Sequence, residues 1–143
     1  MYKGKGDLMI TIDYQNRLPI YEQIVERFEV LILKGVLPSG SQMPSVRSLA
    51  MELSINPNTI QKAYTILENK GYIYSVKGRG NYVAENRKLF DHKIKSFQDS
   101  LKVLLNEAKE LGISKEQSVE ILENCWRGLE EDDRNDQLEQ VFS

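Results

Sequence analysis

Between Pro44 and Gly71 two short apolar-periodic stretches are joined by only three residues, Ser54-Ile55-Asn56. Each stretch begins on a helix-start signal. Ser45, just after Pro44, is suited to cap a helix whose inner face is Val46, Leu49, Ala50 and Leu53. Asn56 is suited to cap the next, and Pro57 fits its first position, where a missing N–H is harmless. Ile60, Ala63, Tyr64 and Leu67 form the second inner face, and Gly71 ends it. The pattern is two short helices across a tight turn.

What flanks this unit completes an architecture. Upstream, Leu8–Asp13 reads as an isolated strand. Leu18-Pro19 then opens a helix with Pro19 at its first position, apolar at Ile20, Ile24, Phe28 and Leu31 and stopped at Gly35. Pro38-Ser39-Gly40-Ser41 is a turn. Downstream, Tyr72–Val76 reads as a strand, Lys77-Gly78-Arg79-Gly80 as a turn and Asn81–Ala84 as the returning strand. Helix, short helix, tight turn, helix and hairpin in that order describe a winged helix-turn-helix over residues 1–85. The expected fold class is mainly α with a small β wing, followed by a C-terminal helical hairpin.

From Phe90 the periodicity changes. Phe90, Ile94, Phe97, Leu101, Leu104, Ala108 and Leu111 are spaced 4, 3, 4, 3, 4, 3, a heptad seam widened by Leu105. Gly112 is a helix stop. Ser114 with Gln117 forms a capping box for a last helix, apolar at Val119, Leu122, Trp126 and Leu129. Residues 86–130 are therefore expected to be a two-helix dimerisation region. Its contacts would be Phe90, Ile94, Phe97, Leu101, Leu104, Ala108, Leu111, Leu122 and Trp126. The alternative is that the seam packs within one chain. Residues 131–143 are acidic and polar and read as a frayed, flexible tail.

Composition excludes several classes. One histidine and one cysteine leave no zinc set and no intrachain disulfide framework. The longest apolar run, Val30–Leu33, is far too short to cross a membrane. Met1–Asp7 is polar and no apolar stretch follows it, so no secretion signal is read and a cytoplasmic location is expected. There is no nucleophile–base pair and no phosphate loop, which argues against an enzyme, and no cofactor is expected. The net charge of −2 hides a division. Residues 1–85 carry 10 Lys+Arg and 8 Asp+Glu, net +2, whereas residues 86–143 carry 9 and 13, net −4. Within 40–80 the balance is +3, from Arg47, Lys62, Lys70, Lys77 and Arg79 against Glu52 and Glu68. A locally positive head is the electrostatic footprint of a polyanion-binding face.

Several of these residues together resemble a known family. Gly35-x-Leu37-x-x-Gly40-x-x-Met43-Pro44-Ser45-x-Arg47-x-Leu49-Ala50 is similar to the N-terminal signature of GntR-family bacterial transcription regulators, with Met43 where Leu is usual. Asn56-Pro57-Asn58-Thr59-Ile60 through Leu67-Glu68-x-x-Gly71 resembles the family's recognition helix. Gly78-x-Gly80-x-x-Val83 resembles its wing, and Pro19-Ile20-Tyr21-x-Gln23-Ile24 its first helix. The resemblance covers residues 10–84. The chain beyond is too short for the large effector domain that most members carry. A two-helix tail is similar to that of the YtrA-like subfamily, where it serves dimerisation.

The resemblance implies a dimeric repressor that binds a palindromic double-stranded DNA operator. In such a head one helix enters the major groove, whose base edges show a distinct donor and acceptor pattern for each pair. Short polar side chains at that helix start, Asn58 and Thr59, and then Gln61 and Lys62, fit this task. The resemblance places Arg47 at the groove, where a guanidinium can take guanine O6 and N7 together. Ser45 combines a cap with a phosphate hydrogen bond. Gly78 and Gly80 let the wing approach the backbone, and Lys77 and Arg79 put charge at its tip. Lys62 serves either a phosphate or a solvated face, and Tyr64 fits packing better than base reading. The competing reading is a winged-helix protein-interaction module that does not bind DNA. The sequence leaves open whether a small-molecule effector acts on the protein.

Overall fold

Helix α1 (Ile20–Leu33) begins just after Pro19 and ends before Gly35, which takes a left-handed backbone. Pro19 is thus the capping residue rather than the first helical one. The computed structural model describes residues 10–142. Leu8 and Met9 of the expected first strand lie outside them, and Ile10–Asp13 forms no strand. Its last residue is held by the side chain of Gln23. Its Oε1 accepts from the Asp13 N–H at 2.9 Å while its Nε2 donates to the Asp13 carbonyl at 2.9 Å, so an amide replaces a neighbouring strand. Ile10 is nevertheless buried in the core.

Helices α2 (Val46–Leu53) and α3 (Pro57–Asn69) form where expected. The connection turns tightly because Ser54 adopts a left-handed conformation, φ 54°, which brings the Ile55 N–H onto the Ala50 carbonyl at 3.0 Å. A serine there costs more than a glycine would. Strands β1 (Ile73–Val76) and β2 (Gly80–Val83) pair antiparallel, with Ile73 opposite Val83 and Val76 opposite Gly80. Both strands start one residue away from the expected bounds, an ordinary fraying of strand ends.

The core lies where α1, α2, α3 and the base of the hairpin converge. Ile24, Phe28 and Ile32 meet Leu49, Ile60, Tyr64, Leu67 and Val83, and the Phe28 and Tyr64 rings stand edge-to-face at 5.7 Å. Sequestering these apolar side chains from water is the main driving force for the head.

Helix α4 (Arg87–Glu110) starts three residues before Phe90. Its first turns belong to the head. Asn86 Nδ2 donates to the Ile32 carbonyl at 3.0 Å, and Leu89 packs on the core. Lys93 reaches Glu29, a carboxylate only 2% exposed. Glu29 also accepts from Lys70 Nζ at 2.9 Å and from the Tyr72 hydroxyl at 3.1 Å. Burial pushes the Glu29 carboxyl up, but hydrogen bonds and charge from Lys93 and Lys70 outweigh it and hold the group below its ordinary range. Burial, then the Glu29 charge and hydrogen bond, push Tyr72 up. The compact unit built around this core runs through Lys93, and a second compact unit begins at Ile94.

In the second unit α4 continues to Glu110, Gly112 turns the chain, and α5 (Lys115–Phe142) follows. The capping box is present: Ser114 Oγ accepts from the Gln117 N–H at 3.1 Å, and Gln117 Oε1 from the Ser114 N–H at 2.9 Å. The expected frayed tail is instead helical through Phe142. No proline interrupts it, and side chains support it one turn apart, as Trp126 Nε1 does on Glu130 Oε1 at 3.1 Å.

Candidate nucleic-acid interface

Three exposed segments carry the residues singled out above. The first is the start of α2. Ser45 Oγ accepts from the Ser48 N–H at 3.0 Å, so its cap role is filled within the chain, and Arg47 projects from the first turn, exposed. The second is the start of α3. Asn56 Oδ1 accepts from the Asn58 backbone N–H at 2.9 Å, and Asn58 is exposed. Thr59 is half-buried and Gln61 exposed, with Gln61 Nε2 3.4 Å from Thr65 Oγ1. The third is the wing tip, where Lys77, Gly78, Arg79 and Gly80 are all exposed.

The backbone explains the wing glycines. Gly78 and Gly80 have φ of 77° and 111°, a region that L side chains rarely adopt, and the turn closes with the Arg79 N–H on the Val76 carbonyl at 2.9 Å. Below the tip, the Tyr74 and Tyr82 rings stack at 5.9 Å, and Ser75 Oγ donates to Asn81 Oδ1 at 2.9 Å. These cross-strand pairs stiffen a hairpin that would be marginal alone.

Two sets of bonds hold the segments in a fixed frame. The buried Tyr64 hydroxyl donates to the Pro44 carbonyl at 2.6 Å, which fastens the entry of α2 to α3. Tyr64 therefore packs and does not read bases. The strip Gly40–Met43 pairs with β2 through Gly40 N–H to Val83 O at 2.8 Å, Val83 N–H to Ser41 O at 2.9 Å and Met43 N–H to Asn81 O at 2.8 Å. Gln42 lies within this strip, bridges to Tyr82, and sends Nε2 to the Arg79 carbonyl at 2.9 Å. Pro38–Ser41 makes the expected turn, closed by the Ser41 N–H on the Pro38 carbonyl at 3.1 Å, whereas Gln42 carries no signal in the sequence. Nothing in residue order shows that this strip would add a third ribbon to the hairpin.

Lys62 sits with Nζ 3.8 Å from the centroid of the Tyr21 ring, a cation–π contact that restrains an otherwise solvated side chain. Tyr21 in turn donates to Glu22 at 3.0 Å, and this hydrogen bond, with burial and the Glu22 charge, raises its pKa. Arg47, Lys62, Lys77 and Arg79 can meet phosphate or guanine. The amides and hydroxyls of Asn58, Gln61 and Thr59 can donate to and accept from base edges. Among the described residues no His, Cys, Asp and Glu group could hold a metal, and no helix is long and apolar enough to cross a membrane.

The seam residues of the tail form the other predicted set. Phe90, Ile94, Phe97, Leu104, Leu111, Leu122 and Trp126 are exposed, and Leu101 and Ala108 are half-covered. The second helix therefore does not bury the seam within the chain.

The sequence pattern described as bacterial regulatory proteins, gntR family, matches residues 20–83, from the first turn of α1 to the end of β2. Over 130 residues, 90% of this chain and 100% of the relative, the chain is 38% identical to the HTH-type transcriptional repressor YtrA of Bacillus subtilis (strain 168). Among solved structures, a GntR family transcriptional regulator from Listeria monocytogenes is 33% identical at a TM-score of 0.67, over 79% of this chain and 98% of that one. YtrA from Sulfolobus acidocaldarius, a GntR-family transcription factor, is 33% identical at a TM-score of 0.57, over 71% and 98%. A shared reading head alone would not align with a relative along its full length, and this chain belongs to the gntR family of bacterial regulatory proteins as a DNA-binding transcription regulator similar to YtrA, not an enzyme.

Proposed function

We propose that the protein is a homodimeric repressor that binds a palindromic operator. One observation carries the dimer: from Ile94 onward no described residue is buried, although α4 and α5 carry Phe97, Leu104, Leu111, Leu122, Trp126 and Leu129. Helices that expose this much apolar surface gain little by folding alone. The seam's 4-3 spacing matches a second helix. A closed two-fold dimer presents two identical heads, and two identical heads read a palindrome.

Within each head, Arg47, Asn58, Thr59 and Gln61 read base edges. Ser45, Lys62, Lys77, Gly78, Arg79 and Gly80 approach phosphates. The exposed position of all these residues except the half-buried Thr59, and the positive balance of residues 40–80, support this assignment. Repression is the role named for the B. subtilis relative. Sedimentation equilibrium of the full chain at micromolar concentration tests the assembly. A dimer mass is expected, and a monomer mass at all concentrations would contradict it.

A further inference from the structure

We propose that Gln42 is a positioning residue that presents the wing tip to DNA. The proposal deepens the DNA-reading assignment of Arg79 and rests on it. Gln42 lies on no recognition element, yet its side chain makes a specific contact with the wing turn. Its Nε2 donates to the Arg79 carbonyl at 2.9 Å, which fixes the peptide from which the Arg79 side chain departs. The fit is close. A Cβ on Gly80 would lie 3.4 Å from Gln42 Nε2, so the amide packs at contact distance against position 80.

The other end of Gln42 is equally fixed. Its backbone bridges to Tyr82, and its neighbour Met43 donates to the Asn81 carbonyl at 2.8 Å. Pro44 follows, with its carbonyl held by the buried Tyr64 hydroxyl, and then Ser45 opens α2. One side chain thus connects the wing tip to the strip that leads into the helix carrying Arg47. A four-residue turn with two glycines at positive φ has many competing conformations when free, and one added hydrogen bond selects among them. The gain appears in DNA binding, because the turn's pose matters only when Arg79 must meet a phosphate.

The test uses the full chain as wild type, Gln42→Met, Gln42→Ala, Arg79→Ala and Gln42→Met/Arg79→Ala. Binding to a mixed-sequence duplex of about 30 base pairs is measured against salt concentration, since each phosphate contact contributes about 0.9 to the slope. Gln42→Met keeps length and apolar bulk and removes only the amide. Gln42 is exposed, so the thermal midpoint of both single variants should stay near wild type. Gln42→Met and Gln42→Ala are expected to weaken binding roughly 2- to 10-fold, the range for one neutral hydrogen bond. They should also lower the salt slope toward that of Arg79→Ala, and Gln42→Met should add nothing in the Arg79→Ala background. A merely structural role would lower the midpoint and leave the slope alone. If Arg79→Ala lowers the slope but the Gln42 variants do not, or if the effects add, Gln42 does not position the tip. If Arg79→Ala leaves the slope unchanged, the wing assignment itself fails and the Gln42 inference with it.

Discussion

The Tyr64 hydroxyl and the Pro44 carbonyl oxygen, 2.6 Å apart in the buried angle between α3 and α2, set the geometry of the helix-turn-helix. Tyr64→Phe removes the donor and leaves the carbonyl without that partner in the interior. The expected cost is about 1–3 kcal/mol of stability, by denaturant melt. Because the bond also orients the entry of α2, DNA affinity should fall more than the loss of folded protein explains. Equal stability to wild type would show that the bond is dispensable.

Glu29 carries the pH dependence of the head. Its carboxyl is held below its ordinary range, so the stability it contributes is fully present above its ordinary value of 4.5 and is lost as pH falls through the folded value. Glu29→Gln should therefore be less stable than wild type at neutral pH, by about 3 kcal/mol or less given that Lys70 and Lys93 are half-exposed. The difference should shrink as pH falls below about 4. Parallel stability curves from pH 7 to 3 would sink this account of the cluster.

The tail should be separable from the head. Leu104, 61% exposed in the single chain, lies mid-seam, and Leu104→Glu places a charge where a second copy would pack. The variant should sediment as a monomer with far weaker operator binding, while the head, whose core stops short of Ile94, keeps its melting behaviour. A Leu104→Glu protein that stays dimeric would remove the seam from the interface.

Loss of a base-reading cation and loss of a phosphate-contacting one should look different. Arg47→Ala is expected to cost about 1–3 kcal/mol and relax preference at one base pair per half-site. Lys77→Ala should weaken all sequences alike and lower the salt slope by about one. Unchanged base preference in Arg47→Ala would take Arg47 out of the reading role.

Most of the head was legible because its signals are local. Ser45, Asn56 and Pro57 mark helix starts through groups within a few residues, and Ile60, Ala63, Tyr64 and Leu67 share one face by spacing alone; all four are buried. What escaped depends on distant partners. The Gln23 amide satisfies Asp13, ten residues away. Lys93 on α4 closes on Glu29, sixty-four residues away, and ties the first turns of α4 to the head. Gln42 meets Arg79 only because Gly40–Met43 folds onto β2. The helical end of α5 was missed because charge suggested solvation, while residues 131–142 carry no proline or glycine and extend a helix already nucleated upstream, each adding one backbone bond.

Selection from random duplexes with the purified full chain tests the central claim most directly. The enriched sequence should be two-fold symmetric, with half-sites about one helical turn or a multiple of it apart, near 34 Å centre to centre, and two chains should bind each duplex. Enrichment of a single asymmetric site bound by one chain, or no enrichment above a scrambled pool, would contradict a dimer that reads through α3 and the wing.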